Sequence, residues 1–260
     1  MNNLLYYFTF IITGLIVIYS CSSEENDDSL QSNEIEIIKL KLKVHLIQTS
    51  PWVHNSGVEL STWVTENNFK QTIITELNTI WKQANIKWAI DSIPEEPIFE
   101  TDNLQEKINY VLESNRDGPF PDRLTYLEDF TQPGSRIEKD EDGSFFFHVY
   151  LFPFTGNTRQ GTAIRWRNNN EISFLETFIG TWSNKHNNGG VPEKCLLIED
   201  QNEFVRGSLS RTIAHELGHL LTLQHDLCSP CLMKGGGYLI TQDQIDSSRE
   251  EAKRLSKSSD

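Results

Sequence analysis

Residues 207–237 read GSLSRTIAHELGHLLTLQHDLCSPCLMKGGG, and this stretch decides the fold. Ser208 or Ser210 can cap a helix that starts there. At about 100° per residue, with Ile213 as the origin, Leu209, Leu217, Leu220 and Leu221 fall on or beside one face. His215 and His219 lie about 40° apart on the opposite face. The helix therefore buries its leucines and presents two imidazoles one turn apart, the geometry that two ligands of one tetrahedral zinc ion require. Glu216 stands beside them, where a carboxylate can take a proton from water polarised by the ion. His225 follows six residues after His219, and Cys231-Leu232-Met233 comes next.

Together, His215-Glu216-x-x-His219, His225 and Met233 resemble the metzincin clan of zinc peptidases, whose motif is HExxHxxGxxH followed by a methionine-bearing turn. The resemblance implies that His215, His219 and His225 hold one catalytic Zn2+ ion, that Glu216 is the general base, and that Met233 sits in the turn beneath the metal. His225-Asp226 and the Cys-x-Met order are similar to adamalysin-like and archaemetzincin-like members, although the other archaemetzincin cysteines are missing. The resemblance implies one catalytic domain over residues 35–260. Its expected class is α/β (α+β) and metzincin-like: a twisted mixed five-stranded sheet with long helices, the active-site helix and a short C-terminal subdomain.

Two positions depart from the family pattern. Thr222 stands where the motif has the glycine that ends the helix and turns the chain back, and a β-branched residue at positive φ is a genuine outlier. Either the turn takes another backbone path or His225 is not the third ligand; a carboxylate from the last helix, Glu250, is the alternative, as in gluzincins. Met233 makes sense only in the metzincin frame, which favours His225. Gly235 stands where some metzincins carry a tyrosine ligand, so transition-state charge must be met mainly by zinc.

Working outward, residues 34–48 (EIEIIKLKLKVHLIQ) nearly alternate apolar and polar side chains, the pattern of a half-buried strand. From Glu66 to Gln83 the positions Phe69, Ile73, Ile74, Leu77, Ile80 and Trp81 fall at helical spacing, and Asn85 breaks the helix before a second strand, Ile86 to Ile90. Residues 94–143 predict long loops with one helix near Leu104–Leu112. Ser144 to Phe154 (SFFFHVYLFPF) is a strong strand, Gly161 to Trp166 an edge strand, and Cys195 to Glu199 another short one. Strands interleaved with helices in this order predict a mixed sheet covered by helices. The family resemblance places the edge strand along the substrate cleft, so Gly161, Thr162 and Ala163 are expected to bind a peptide as an added strand.

The chain opens with MNNLLYYFTFIITGLIVIYSC, uncharged before Glu24. Leu4 to Tyr19 is short for a bilayer span and suits the apolar region of a secretory signal. Ile18-Tyr19-Ser20-Cys21 resembles a bacterial lipobox, which implies lipidation at Cys21. Residues 1–21 are then a lipoprotein signal peptide and residues 22–34 an acidic tether similar to a surface-export signal. The expected location is export with a lipid anchor in the bacterial outer membrane; the acidic run can equally be a plain solvated linker, so the face of the membrane, cell surface included, stays open. Cys195, Cys228 and Cys231 remain, and in an oxidising compartment one disulfide and one spare thiol are expected, with the pairing open. Cys228-Ser229-Pro230-Cys231 also has the spacing of half a zinc site or a redox pair, without a second CxxC to complete the former.

The 260 residues carry 23 Lys plus Arg against 37 Asp plus Glu, a formal charge of −14, so no cationic field exists to attract nucleic acid. Six Trp and fourteen Phe supply the apolar surface for a core. The reading that follows is a monomeric zinc-dependent endopeptidase acting on peptides or proteins, tied to a membrane only through its lipid. The alternative is a catalytically silent, zinc-stabilised lipoprotein that binds peptide or glycan. Retention of Glu216 speaks against it, because a purely structural zinc needs no base. A third reading makes the protein an adhesin in which HExxH is accidental.

Overall fold

Alternation along Ile38–Leu46 builds the first strand, β1, whose Ile38, Leu40, Leu42, Val44 and Leu46 turn to one side while Lys41, Lys43 and His45 turn to the other. The computed structural model describes residues 36–49, 52–53, 59–61, 63–98, 127–128, 130–153, 161–168, 171–181, 208–228, 230–234 and 237–257. The chain divides into two units, Met1–Glu34 and Ile35–Asp260, and the described residues fall in the second. The signal peptide, Cys21, the tether, Cys195–Glu199, Leu104–Leu112 and Gly235 lie outside them.

After a two-stranded ribbon, β2 (Trp52–Val53) and β3 (Glu59–Leu60), a helical run follows. It comprises α1 (Glu66–Asn68), a π segment (Phe69–Ile73), α2 (Ile74–Trp81) and a 3-10 turn (Lys82–Ala84). Thr65 caps it in a box with Asn68, and Phe69, Ile73, Leu77, Ile80 and Trp81 are wholly buried, as their spacing predicts. Asn85 ends it at φ 48°, a left-handed position that asparagine tolerates. Then come β4 (Ile86–Ser92), β5 (Phe146–Phe152), β6 (Gly161–Asn168), β7 (Glu171–Gly180), α3 (Leu209–Leu220) and α4 (Gln242–Leu255).

The sheet order is β4-β1-β5-β7-β6, with β6 antiparallel at one edge and every other pairing parallel. The fold is therefore the expected α+β class with a five-stranded mixed sheet. Beside the four expected strands among the described residues, β7 lies in the sheet between β5 and β6. Leu40, Leu42, Val44, Phe147, Val149, Leu151, Leu175 and Ile179 face α2, α3 and α4 in one core. The C-terminal segment past α3 packs into that same core through Leu232, Met233, Ala252 and Leu255.

The other face of the sheet is polar at its centre and buried all the same. His148 Nε2 donates to Ile137 O (2.9 Å), which can only accept. His148 Nδ1 then accepts from His45 Nε2 (2.9 Å), and with both rings neutral His45 Nδ1 accepts from a protonated Glu96 Oε1 (2.6 Å). Burial supports that protonation pattern, pushing both imidazoles down to about 3 and the Glu96 carboxyl up to about 7. Beside this chain the buried Glu176 of β7 accepts from Arg136 Nε (2.6 Å), Tyr150 OH (3.0 Å) and Trp166 Nε1. Leu127 and Phe130 cover the layer together with Phe152 and Phe178.

Candidate metal centre

Ser208 is the N-cap of α3, its hydroxyl accepting from Arg211 N at 3.2 Å, and Leu209, Ile213, Leu217 and Leu220 are wholly buried. The helix is enclosed further round than its wheel implies, since Arg211, Thr212, Glu216 and Gly218 are buried too. The reason is that α3 lies against α2 on one side and β6 and β7 on another, while the Met233 turn passes beneath it. A Cβ on Gly218 would stand 2.7 Å from Met233 Sδ, so the glycine within the motif is what lets the wholly buried methionine approach the helix.

The helix ends in a Schellman turn: Leu223 N donates to Gly218 O (2.9 Å) and Thr222 N to His219 O (3.0 Å), with Leu221 as C-cap. Thr222 takes the left-handed position at φ 68°, where the family pattern has glycine. Its hydroxyl donates to Leu221 O at 2.6 Å, a local bond that partly offsets the strain. The backbone path is thus the glycine path, followed by threonine, and it returns His225 to the helix.

His225 Nε2 lies 3.2 Å from Nε2 of His215 and 3.2 Å from Nε2 of His219, and the three ligand atoms fall within 4.8 Å of one another. His215 Nδ1 donates to Leu232 O at 2.7 Å and His219 Nδ1 to Leu223 O at 2.8 Å. Those carbonyls fix the tautomer that leaves each Nε2 lone pair for a metal. Burial keeps His215 neutral by pushing its pKa down to about 4. Three imidazoles converging through Nε2, with Nδ1 of two of them tied to carbonyls, are a donor set suited to zinc. Glu250 is exposed on α4 and joins no such group among the described residues.

Glu216 is buried next to the ligands, and β6 passes directly over it: a Cβ on Gly161 would lie 2.7 Å from Glu216 Cγ and 2.9 Å from Oε1. Gly161 and Ala163 share the helix-facing side of β6, since both pair with helix-facing residues of β7, Ile179 and Thr177. The missing side chain at Gly161 therefore makes room for Glu216. Arg165, on the same side, pairs with Glu251 of α4.

Cys228 and Cys231 are joined as a disulfide. Asp226 Oδ1 accepts from Leu227 N (2.6 Å) and Cys228 N (3.1 Å), and Oδ2 accepts from Gln244 Nε2 (3.3 Å), tying the loop to α4. Sequence reasoning passed over Arg211. It is buried on α3 and donates from Nε to Gly237 O (2.7 Å) and from Nη2 to Leu232 O (3.1 Å) and Lys234 O (2.9 Å).

No family model and no curated protein matches this chain. Among solved structures it is similar to mirolysin in complex with compound 9, at a TM-score of 0.43 and 12% identity, covering 84% of this chain and 95% of that one. It is also similar to the GM1-bound form of the ECX AB5 holotoxin, at a TM-score of 0.28 and 13% identity, covering 84% of this chain and 71% of that one.

Proposed function

We propose that this chain is a zinc-dependent endopeptidase of the metzincin type, in which Glu216 acts as general base. The observation that supports it is the convergence of His215, His219 and His225 within 4.8 Å, beside a buried carboxylate and under the edge strand of the sheet. When bound, zinc supplies Lewis acidity toward a peptide carbonyl and toward water. The chain's own residues do the remainder. Leu232 O and Leu223 O hold His215 and His219 in the ligating tautomer. Glu216 accepts a proton from the attacking water and returns it to the departing amine. The outer edge of β6, which no other described strand pairs with, offers main-chain donors and acceptors around Thr162 and Ala163 to an extended substrate, and a peptide laid there lies close to Glu216.

The same reading includes export through the N-terminal segment, lipid attachment at Cys21 and action on peptides or proteins outside the cell as a monomer. The deciding experiment is cleavage of a broad peptide library by the soluble 22–260 form, with and without a zinc chelator, beside its Glu216→Gln variant. Expected is chelator-sensitive cleavage that the variant lacks, a loss on the order of 10²–10⁴-fold, while the variant keeps its zinc. Stoichiometric zinc with no cleavage of any peptide would favour the binding-lipoprotein reading, and a protein without zinc affinity would remove both.

A further inference from the structure

Arg211 is 5% exposed, and among the described residues its guanidinium donates to backbone carbonyls. Its three hydrogen bonds run to Leu232, Lys234 and Gly237, the carbonyls that bracket Met233. Taking a guanidinium out of water is costly unless its donors are met, and here carbonyl oxygens meet them, with the Glu216 carboxylate acting through space. A cation in such a place constrains whatever supplies the oxygens. The forked geometry of Nε and Nη2 fixes directions, which a lysine ammonium on a flexible stem cannot do.

One of those oxygens has a second donor. Leu232 O accepts from Arg211 Nη2 at 3.1 Å and from His215 Nδ1 at 2.7 Å. The ring of His215 is therefore oriented by a carbonyl that is itself held by Arg211, one turn earlier on the same helix. Lys234 O and Gly237 O, gripped by the same guanidinium, keep the turn from rotating that carbonyl away. Gly237 packs closely against Pro230, where a Cβ would stand 2.0 Å from Pro230 O.

We propose that Arg211 is a positioning residue of the metal centre: by clamping the carbonyls of the Met233 turn it sets the orientation of His215 and so the affinity and geometry of the site. The proposal rests on the assignment of His215, His219 and His225 as zinc ligands. Groups that orient metal-ligating histidines through hydrogen bonds typically contribute about 10–100-fold in affinity. Arg211 acts one bond further out, and its effect is transmitted through a carbonyl with two donors.

The test uses Arg211→Lys and Arg211→Gln in the 22–260 protein. It compares zinc affinity by chelator competition, the visible spectrum of the cobalt(II)-substituted protein, and thermal unfolding of the metal-free form. Expected are variants that still fold without metal, bind zinc about 10-fold more weakly or worse, and show shifted cobalt bands. A folded variant with wild-type zinc affinity and an unchanged cobalt spectrum would reduce Arg211 to a structural role and overturn the proposal. If neither variant folds, nuclear magnetic resonance on the wild type decides: the Arg211 Nε–H and His215 Nδ1–H signals must both move when zinc is added, and an Arg211 signal that stays put overturns the proposal equally. Wild-type protein that binds no zinc defeats the underlying ligand assignment instead, an outcome distinct from the others.

Discussion

Gly161 of the edge strand and Glu216 of the central helix are so close that a single methyl on the glycine would stand 2.7 Å from the Cγ of the carboxylate side chain. Ile179 Cδ1, 2.9 Å from the same point, closes the other side. Gly161→Ala therefore has to displace Glu216, Ile179 or the strand itself. Since the atoms nearest a Cβ at Gly161 belong to Glu216 and Ile179 and not to the proposed ligands, the variant should keep stoichiometric zinc while kcat falls at least tenfold, part of the general-base contribution of about 10²–10⁴. Steady-state kinetics with metal analysis on one preparation checks this, and unchanged kcat would mean that Glu216 has another place to go.

Thr222 occupies a left-handed position at φ 68° inside a turn whose hydrogen bonds are those of a glycine-ended helix. Such strain in a non-glycine residue costs about 1–3 kcal/mol, less whatever the 2.6 Å bond from its hydroxyl to Leu221 O returns. Thr222→Gly should raise the stability of the metal-free protein by about 1 kcal/mol in denaturant titrations. Destabilisation would show that the hydroxyl bond outweighs the backbone strain.

The polar layer on the far face of the sheet predicts an acid-sensitive fold. His45 and His148 titrate near 6.5 when unfolded but only at about 3 when folded, so the unfolded chain binds more protons and stability falls as pH drops through that window. Lys43 and Arg136 add to the effect of burial on His45, and on His148 the neighbouring Glu176 opposes it. Glu96, raised to about 7, has the reverse sign: its contribution is complete below about 4.5 and is lost as pH rises through 7. The two effects oppose each other between pH 4.5 and 6.5, and below 4.5 the histidines act alone. Denaturant midpoints should therefore drop most steeply between about pH 4.5 and 3, and His148→Gln should flatten that drop. Parallel pH profiles for the two proteins would exclude His148 as a source.

Replacing both Cys228 and Cys231 by serine opens a ring only four residues long, for which chain entropy gives about 2 kcal/mol. The expected loss is therefore no more than that in denaturant titrations. A much larger loss would mean that the bridge also holds the native loop in shape.

The helix carrying the motif was legible because its leucines and histidines segregate at helical spacing, and Gly161 to Trp166 reads correctly as an edge strand. β7 was not legible. Phe174, Glu176 and Phe178 on one face and Leu175, Thr177 and Ile179 on the other erase the alternation that marks a half-buried strand. Glu176 looks like a surface residue until Arg136, Tyr150 and Trp166 are seen around it. Arg211 is hidden for the same reason: a helical wheel puts arginine outside, and only the returning turn at 232–237 supplies the carbonyls that bring it in. The sequence did announce the conflict at Thr222, and the structure resolves it in favour of the turn.

The three imidazoles come from one short run of chain, 215 to 225, whereas the sheet above them joins Leu42 to Phe147 and Phe147 to Leu175. Parallel pairings over such separations form late in folding, because loop-closure entropy must be overcome first. The donors of the metal centre, in contrast, stay near neighbours in a fully unfolded chain. On the proposed ligand assignment, zinc can therefore bind these donors in the unfolded chain as well as in the folded one. Ligand binding to the unfolded chain subtracts from the stabilisation that folded-state affinity alone would confer. The rise in Tm on adding zinc will accordingly understate how tightly the native protein holds the metal.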